Sequence, residues 1–139
     1  MKYVVDASVA VKWYVPEINA TEAELILDAG HDLFAPEQIY IEFGNIVWKK
    51  VRLKEITEDE GKKIIAEFQK VGIITYPHKQ LLNAAYIGAI LSGLTVYDWT
   101  YMALAVTLYC EFVTADEKLF KSLEKTKLKK YLVWVGNIA

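Results

Sequence analysis

The sequence predicts an α/β fold, a three-layer α/β/α sandwich around a central parallel sheet of four to five strands. Its short apolar runs are rich in β-branched residues, as buried strands are, and helical stretches separate them. Parallel strands need such long crossovers, which are right-handed and cover both faces of a sheet. With 139 residues, 54% of them hydrophobic, the chain suits a single domain over residues 1–139.

The first half of the chain alternates strands and helices. The expected elements are a strand at 3–5, a helix at 8–15, a helix at 18–29, a strand at 32–35 and a long helix at 36–54. Pro16 closes the first helix, and Thr21 and Glu24 have the spacing of a capping box, with Gly30 as the stop. Pro36 suits the first turn of the long helix, because its missing N–H would be unpaired there anyway.

The second half repeats this alternation. The expected elements are a helix at 57–72, a strand at 73–76, a helix at 79–91, a helix at 95–109, a strand at 111–114, a helix at 116–125 and a final strand at 131–135. Capping-box spacing occurs at Thr57 with Glu60 and at Thr95 with Asp98. Gly93 terminates the helix expected at 79–91.

Composition excludes several classes of protein. The formal charge of −2 lacks the strong positive excess of an obvious nucleic-acid binder. A single cysteine, Cys110, excludes an internal disulfide and fits a reducing compartment, so we expect a cytoplasmic protein. Asp6 interrupts the N-terminus before a signal peptide's apolar core could form, and Asp98 interrupts the apolar stretch 86–110, so we expect no membrane partner.

Acidic residues stand where a parallel sheet would bring them together. Asp6 and Asp116 lie just after predicted strands, and ligands bind outside the carboxyl ends of strands in such sheets. Asp98 opens a predicted helix. Glu42 lies on the margin of the buried stripe of the long helix, where it needs a compensating partner, and Asn45 near the same edge could share its ligand or water.

Four carboxylates in one pocket require a positive counter-charge. A pair about 4 Å apart repels by roughly 4 kcal/mol at an effective dielectric near 20. Oxygen ligands without His or Cys favour Mg²⁺ or Mn²⁺ over Zn²⁺, so metal-assisted phosphodiester hydrolysis is the chemistry expected. Each acid also has a structural interpretation, since Asp6, Asp98 and Asp116 could cap helices. Ser8 and Thr114 could orient a carboxylate or cap as well.

Four segments give the chain a resemblance to the PIN-domain ribonucleases, and most closely to the VapC-type toxins of toxin-antitoxin pairs. The segments are Val4-Val5-Asp6-Ala7-Ser8, Ile41-Glu42-Phe43-Gly44-Asn45, Tyr97-Asp98 leading to Ala103-Leu104-Ala105, and Val113-Thr114-Ala115-Asp116 with Phe120. Their order and spacing span nearly the whole chain.

The resemblance implies an endoribonuclease that cuts single-stranded or looped RNA with one or two Mg²⁺ or Mn²⁺ ions. The implied carboxylates, as catalytic residues and metal ligands, are Asp6, Glu42, Asp98 and Asp116, with Ser8 and Thr114 in support. It further implies a homodimer and a small cognate antitoxin whose tail lies over the site.

Two other classes remain open. A non-catalytic RNA- or protein-binding regulatory module would keep the fold and its acids without chemistry. A phosphoacceptor receiver or a haloacid-dehalogenase-type phosphatase would place a second acid close to Asp6 or at a neighbouring strand end. This chain has Ser8 two residues after Asp6, and its strand at 73–76 ends without an acid.

Overall fold

The computed structural model describes residues 1–28 and 30–139, and a five-stranded parallel sheet forms its centre. The strands are β1 (Lys2–Val5), β2 (Asp32–Pro36), β3 (Ile74–Tyr76), β4 (Glu111–Thr114) and β5 (Leu132–Trp134). Their order across the sheet is β3-β2-β1-β4-β5, and every neighbouring pair is parallel. The central strand β1 is therefore flanked by β2 on one side and β4 on the other.

Helices connect the strands of this sheet. Those of the described residues are α1 (Ala7–Ala10), α2 (Ala20–Asp28), α3 (Ile39–Arg52), α4 (Glu58–Phe68), α5 (Leu82–Ser92), α6 (Val96–Leu108) and α7 (Glu117–Glu124). The chain winds outward from β1 through β2 to β3, then returns to β4 and β5. Right-handed crossovers therefore place α1–α4 over one face and α5–α7 over the other, which confirms the predicted three layers.

Two local predictions for the first half differ from the structure. The helix expected at 8–15 is the single turn α1 followed by a 3-10 segment, Val11–Trp13. The Thr21 capping box does not form, because Asn19 already accepts a helical hydrogen bond from the Ala23 N–H and Thr21 lies inside α2. The expected end of that helix at Ala29 lies outside the described residues.

Pro36 ends a strand instead of opening a helix. It pairs with Tyr76 at the end of β2, and the Glu37 N–H continues the ladder to the Tyr76 carbonyl. A proline is tolerated at this position because the strand ends there. Helix α3 consequently begins three residues later, at Ile39.

Other end signals act as expected. Thr57 and Glu60 form a complete capping box at the start of α4, and Thr95 accepts a hydrogen bond from the Asp98 N–H at the start of α6. Gly93 ends α5 in the left-handed conformation, with a φ of 77°. These caps fix where α4 and α6 begin and where α5 ends.

No single helix in residues 1–28 and 30–139 is long and apolar enough to cross a membrane. Only the pair 78–92 and 96–108 reaches that length and hydropathy together, and the two helices are bent by 117° at the break between them.

Helices α5 and α6 meet through a glycine and a tryptophan. Gly88 is buried against the indole ring of Trp99, and a Cβ placed on Gly88 would overlap that ring. The indole N–H donates to Ser92 Oγ at 2.6 Å, which holds the ring in place. Although Trp99 directly follows Asp98, its side chain therefore packs between α5 and α6.

The close approach predicts a clear stability difference between two glycine substitutions. Gly88→Ala should lower the free energy of unfolding by about 1–3 kcal/mol, because the indole ring cannot move aside without losing its hydrogen bond. Gly44→Ala in α3 meets no atom within 4 Å and should raise it by about 0.5–1 kcal/mol. Urea unfolding of both variants measures the pair, and equal effects would contradict this packing.

Candidate active site

The carboxylate of Asp6 lies at the point where the sheet's winding reverses, between the carboxyl ends of β1 and β4. Only 6% of the residue is exposed. Its Oδ1 accepts hydrogen bonds from Ser8 Oγ at 2.5 Å and from the Val9 N–H at 3.1 Å, and its Oδ2 accepts from Thr114 Oγ1 at 2.5 Å. Ser8 in turn accepts from the Ala115 N–H, so the two strand ends are joined through this carboxylate.

Glu42 reaches the same region from the first turn of α3. Its Oε1 accepts from Gln38 Nε2 at 2.6 Å, and its Oε2 accepts from the hydroxyl of the buried Tyr101 at 3.1 Å. Gln38 also donates to the Tyr97 carbonyl at 3.0 Å. Glu42 is therefore held from two sides, by its own helix and by α6.

Asp98 and Asp116 complete the group from two helix starts. Asp98 lies in the first turn of α6, and Asp116 is the N-cap of α7, where its Oδ1 accepts from the Leu119 N–H at 3.1 Å. The Asp116 N–H donates to Thr114 Oγ1, the hydroxyl that also serves Asp6. A cavity of about 80 Å³ is lined by both Asp98 and Asp116, with Lys118 beside them.

The electrostatics of these acids link all four by repulsion. Burial raises the pKa of Asp6 to about 6, opposed by its three hydrogen bonds and assisted by the charge of Asp116. Burial also raises the pKa of Glu42, with the charges of Asp6 and Asp98 adding to it. The pKa of Asp98 is raised by burial and by Asp116, while Lys118 opposes the shift. The structure therefore gathers the four predicted acids into one field of negative charge.

The donor set fits a hard divalent cation. All four groups are carboxylates, and their mutual repulsion is the unfavourable interaction that such a cation removes. As the side chains are placed, no three acidic, histidine or cysteine residues of the described chain surround a common point at metal-binding distance. The structure thus shows shared charge, and the assignment of metal ligands stays a prediction.

The supporting residues separate into two groups. Ser8 and Thr114 both contact Asp6, as their place beside the acids suggested. Asn45 lies on the exposed side of α3 and makes no hydrogen bond to the acids in the described part of the chain, so its role stays a prediction.

Two contacts of Glu42 were not predicted from the sequence. Gln38 stands four residues before Glu42, a spacing that places two residues on one helix face and could have signalled the contact. Tyr101 is 59 residues away in sequence, and nothing in the local pattern connects it to Glu42.

Comparison with known proteins identifies the family of this chain. A family model described as PIN domain matches residues 3–125. The match covers most of the chain, so the chain belongs to the PIN domain family.

Individual relatives narrow the class. A protein named Ribonuclease VapC3 from Pyrobaculum aerophilum is 31% identical over 121 residues, which cover 86% of this chain and 92% of the relative. The chain is thus a VapC-type member of the family.

Solved structures agree on the fold. The crystal structure of Mycobacterium tuberculosis VapC20, described as a Sarcin-Ricin loop cleaving toxin, matches with a TM-score of 0.65 and 11% identity over 87% of this chain and 95% of that chain. VapBC2 from Rickettsia felis, solved with a DNA fragment from its promoter, matches with a TM-score of 0.63 and 16% identity over 96% and 98%.

The raised pKa of Asp6 predicts a pH-dependent stability in protein freed of divalent ions. Between its unfolded pKa of 3.8 and its folded pKa of about 6, the native state holds a proton that the unfolded state has released. Stability from this group is therefore complete below the lower value and is lost as the pH rises through the upper one. The loss is about 3 kcal/mol, since each pKa unit corresponds to about 1.4 kcal/mol.

Asp6→Asn isolates this effect because the amide cannot ionise. In EDTA the variant should be more stable than the parent at about pH 7.5, and its advantage should shrink by about 3 kcal/mol near pH 3.5. Urea unfolding across this range measures the difference, with Asp32→Asn, an exposed acid at the other end of the sheet, as control. A constant difference between Asp6→Asn and the parent would show that Asp6 ionises at its ordinary pKa.

Proposed function

We propose that this protein is a Mg²⁺- or Mn²⁺-dependent endoribonuclease that hydrolyses phosphodiester bonds of single-stranded or looped RNA, as the toxin of a toxin-antitoxin pair. The observation that carries the proposal is the group of four mutually repelling carboxylates, Asp6, Glu42, Asp98 and Asp116, at one end of the sheet. Membership of the VapC-type ribonucleases supports the reaction class, and the likeness to VapC20, a Sarcin-Ricin loop cleaving toxin, supports a looped RNA.

The four acids are proposed to have different roles according to how they are held in the structure. Asp6 and Glu42 are fixed by hydrogen bonds to both carboxylate oxygens, so they form the rigid side of the site. Asp98 and Asp116 line the cavity of about 80 Å³. We expect a substrate phosphate to enter on this side. One or two divalent ions held by these four acids would supply the counter-charge and Lewis acidity that phosphodiester hydrolysis requires.

Removing one carboxylate should abolish cleavage without unfolding the protein. Asp98→Asn should reduce Mg²⁺-dependent cleavage of a single-stranded RNA by about 100-fold or more, as the loss of an electrostatic catalytic group does. Asp59→Asn on the exposed face of α4 is the matched control and should cleave normally. Circular dichroism verifies the fold, and full activity in Asp98→Asn would end the proposal.

The binding module stays a second candidate, because Asp6 and Asp116 both cap helices and so have a structural role without a metal. A Mn²⁺ titration separates the two candidates. The nuclease should show a heat of binding and melt at a higher temperature with millimolar Mn²⁺, and Asp6→Asn should lose both responses. The absence of heat and of stabilisation in the parent would favour the binding module.

The proposed role includes two protein partners. The match to the VapBC2 structure supports a cognate antitoxin, whose tail we expect over the acidic site. With this role, we expect the protein to lie in the cytoplasm together with its RNA. A second copy of the chain is the other partner, and helix α5 offers the surface for it.

The apolar face of α5 supports the homodimer. Four large side chains of this helix are between 57% and 82% exposed, an unusual concentration for a monomer's surface. They are Tyr86, Ile87, Ile90 and Leu91. Covering this face with its copy would bury all four around one axis.

Charges introduced on this face should separate the dimer. Ile87→Lys combined with Leu91→Lys should weaken self-association by at least about 100-fold, because two desolvated lysines would face their copies. Leu25→Lys on α2 is the control, a leucine that is 42% exposed on another helix. Sedimentation equilibrium measures the association, and a parent protein that is monomeric at high micromolar concentration would contradict the assignment.

A further inference from the structure

A second cavity adjoins the acidic site and is lined by none of its four acids. It has a volume of about 300 Å³, at the lower end of the range for small-ligand sites. Its walls come from the 3-10 segment His78–Leu81, the start of α5 and the first turn of α6, with Gln38 between them and the acids. We call it the rim pocket. Leu82 at the start of α5 lines it, whereas Tyr86, Ile87, Ile90 and Leu91 do not.

Gln38 connects the rim pocket to the acids. Its amide nitrogen donates to Glu42 Oε1 on one side and to the Tyr97 carbonyl on the other. Thr100 Oγ1 donates to the same carbonyl at 2.6 Å. The backbone that carries Tyr97 is thus fixed immediately before Asp98, so a group held in the rim pocket lies beside the carboxylates.

The chemistry of the lining suits one unit of a nucleic acid. The ring of Tyr97 is 68% exposed and Leu82 is 52% exposed, which gives a stacking surface and an apolar wall. Lys79 and His78 add nitrogen groups at the edge, and Lys79 enters no ion pair within residues 1–28 and 30–139. An aromatic ring beside a lysine provides for both the base and the phosphate of a nucleotide.

Lys79 supplies a positive charge beside the acidic site. The four acids repel an RNA backbone, and the chain as a whole carries −2. A lysine at the border of the acidic field attracts the neighbouring phosphate without neutralising the carboxylates.

Two other cavities contain lysines that already form ion pairs. The one lined by Glu17, Lys50 and Glu55 is bordered by ion pairs, in which Lys50 contacts Glu17 at 2.6 Å and Glu55 at 3.4 Å. The one beside Phe120 and Trp134 is edged by the ion pair of Lys121 and Glu117. The lysines of those two cavities are therefore already neutralised by acids of this chain.

We propose that the rim pocket binds an unstacked nucleobase of the RNA next to the cleaved phosphate, with Tyr97 stacking on the base and Lys79 contacting the adjoining phosphate. The proposal rests on the nuclease function and adds a subsite that selects the RNA. Recognition of RNA by unstacked bases on aromatic side chains is a general mode.

The test pairs protein variants with altered RNAs in a binding measurement that needs no cleavage. Fluorescence anisotropy in EDTA gives the Kd of a short fluorescein-labelled single-stranded RNA and of copies in which one nucleotide at a time is abasic. Tyr97→Ala should weaken binding by about 5- to 100-fold, the usual effect of losing one stacked base. One abasic position should weaken binding to the parent equally and have no further effect in Tyr97→Ala.

Matched controls keep the result specific. Tyr109→Ala removes an 87% exposed tyrosine at the opposite end of α6, and Lys62→Ala is the control for Lys79→Ala, which should reduce the salt dependence of binding. If Tyr97→Ala and Lys79→Ala bind like their controls, or if every abasic position weakens Tyr97→Ala as much as the parent, the pocket holds no base.

The outcome is distinguishable from failure of the nuclease proposal. A parent protein that shows the Tyr97 coupling but cleaves no RNA would retain the rim pocket and remove the nuclease. Cleavage by the parent with Tyr97→Ala unimpaired in binding would do the reverse.

Discussion

The burial of one carboxylate constrains the rest of this structure. An ionised group removed from water costs several kcal/mol unless hydrogen bonds replace its hydration. Asp6 is placed between β1 and β4, where Ser8, Thr114 and the Val9 N–H supply those bonds. Because Ser8 follows β1 and Thr114 ends β4, the same contacts that solvate Asp6 also define how the two strands end. The hydrogen bonds to Asp6 therefore determine both the geometry of the site and the way in which β1 and β4 end.

The capping and the functional interpretations of the acids are compatible. Asp6 caps α1, Asp116 caps α7, and Asp98 lies in the first turn of α6. Three helix starts therefore point towards the acidic group. Helix N-termini carry partial positive charge, which reduces the cost of assembling carboxylates before any cation binds. A residue can thus stabilise its helix through one oxygen and keep the second available to a ligand, as Asp116 does.

The sequence predicted the candidate site residues that lie at strand ends. It did not reveal contacts between residues that are far apart in the chain. Asp6 and Asp116 were identifiable because short apolar strands stop close before them. The Thr21 box was wrong because the chain turns upstream at Asn19, which no spacing rule records. The contact of Tyr101 with Glu42 requires knowing how α6 crosses α3, and this follows only from the assembled layers.

The arrangement also separates the residues proposed for the reaction from the residues proposed to select the RNA. Asp6 and Asp116 are fixed by strand ends and helix caps, and Glu42 is held by Gln38 and Tyr101, so the scaffold determines where these carboxylates lie. Lys79, Leu82 and Tyr97, which line the rim pocket from the segment 78–97, have exposed side chains, and the segment borders the site through Gln38 and the Tyr97 backbone. Binding residues commonly lie on such segments, held by a rigid scaffold. Under the two proposals, a chain with this sheet can change its RNA by altering these exposed side chains, while the buried Asp6 keeps the carboxylates in place.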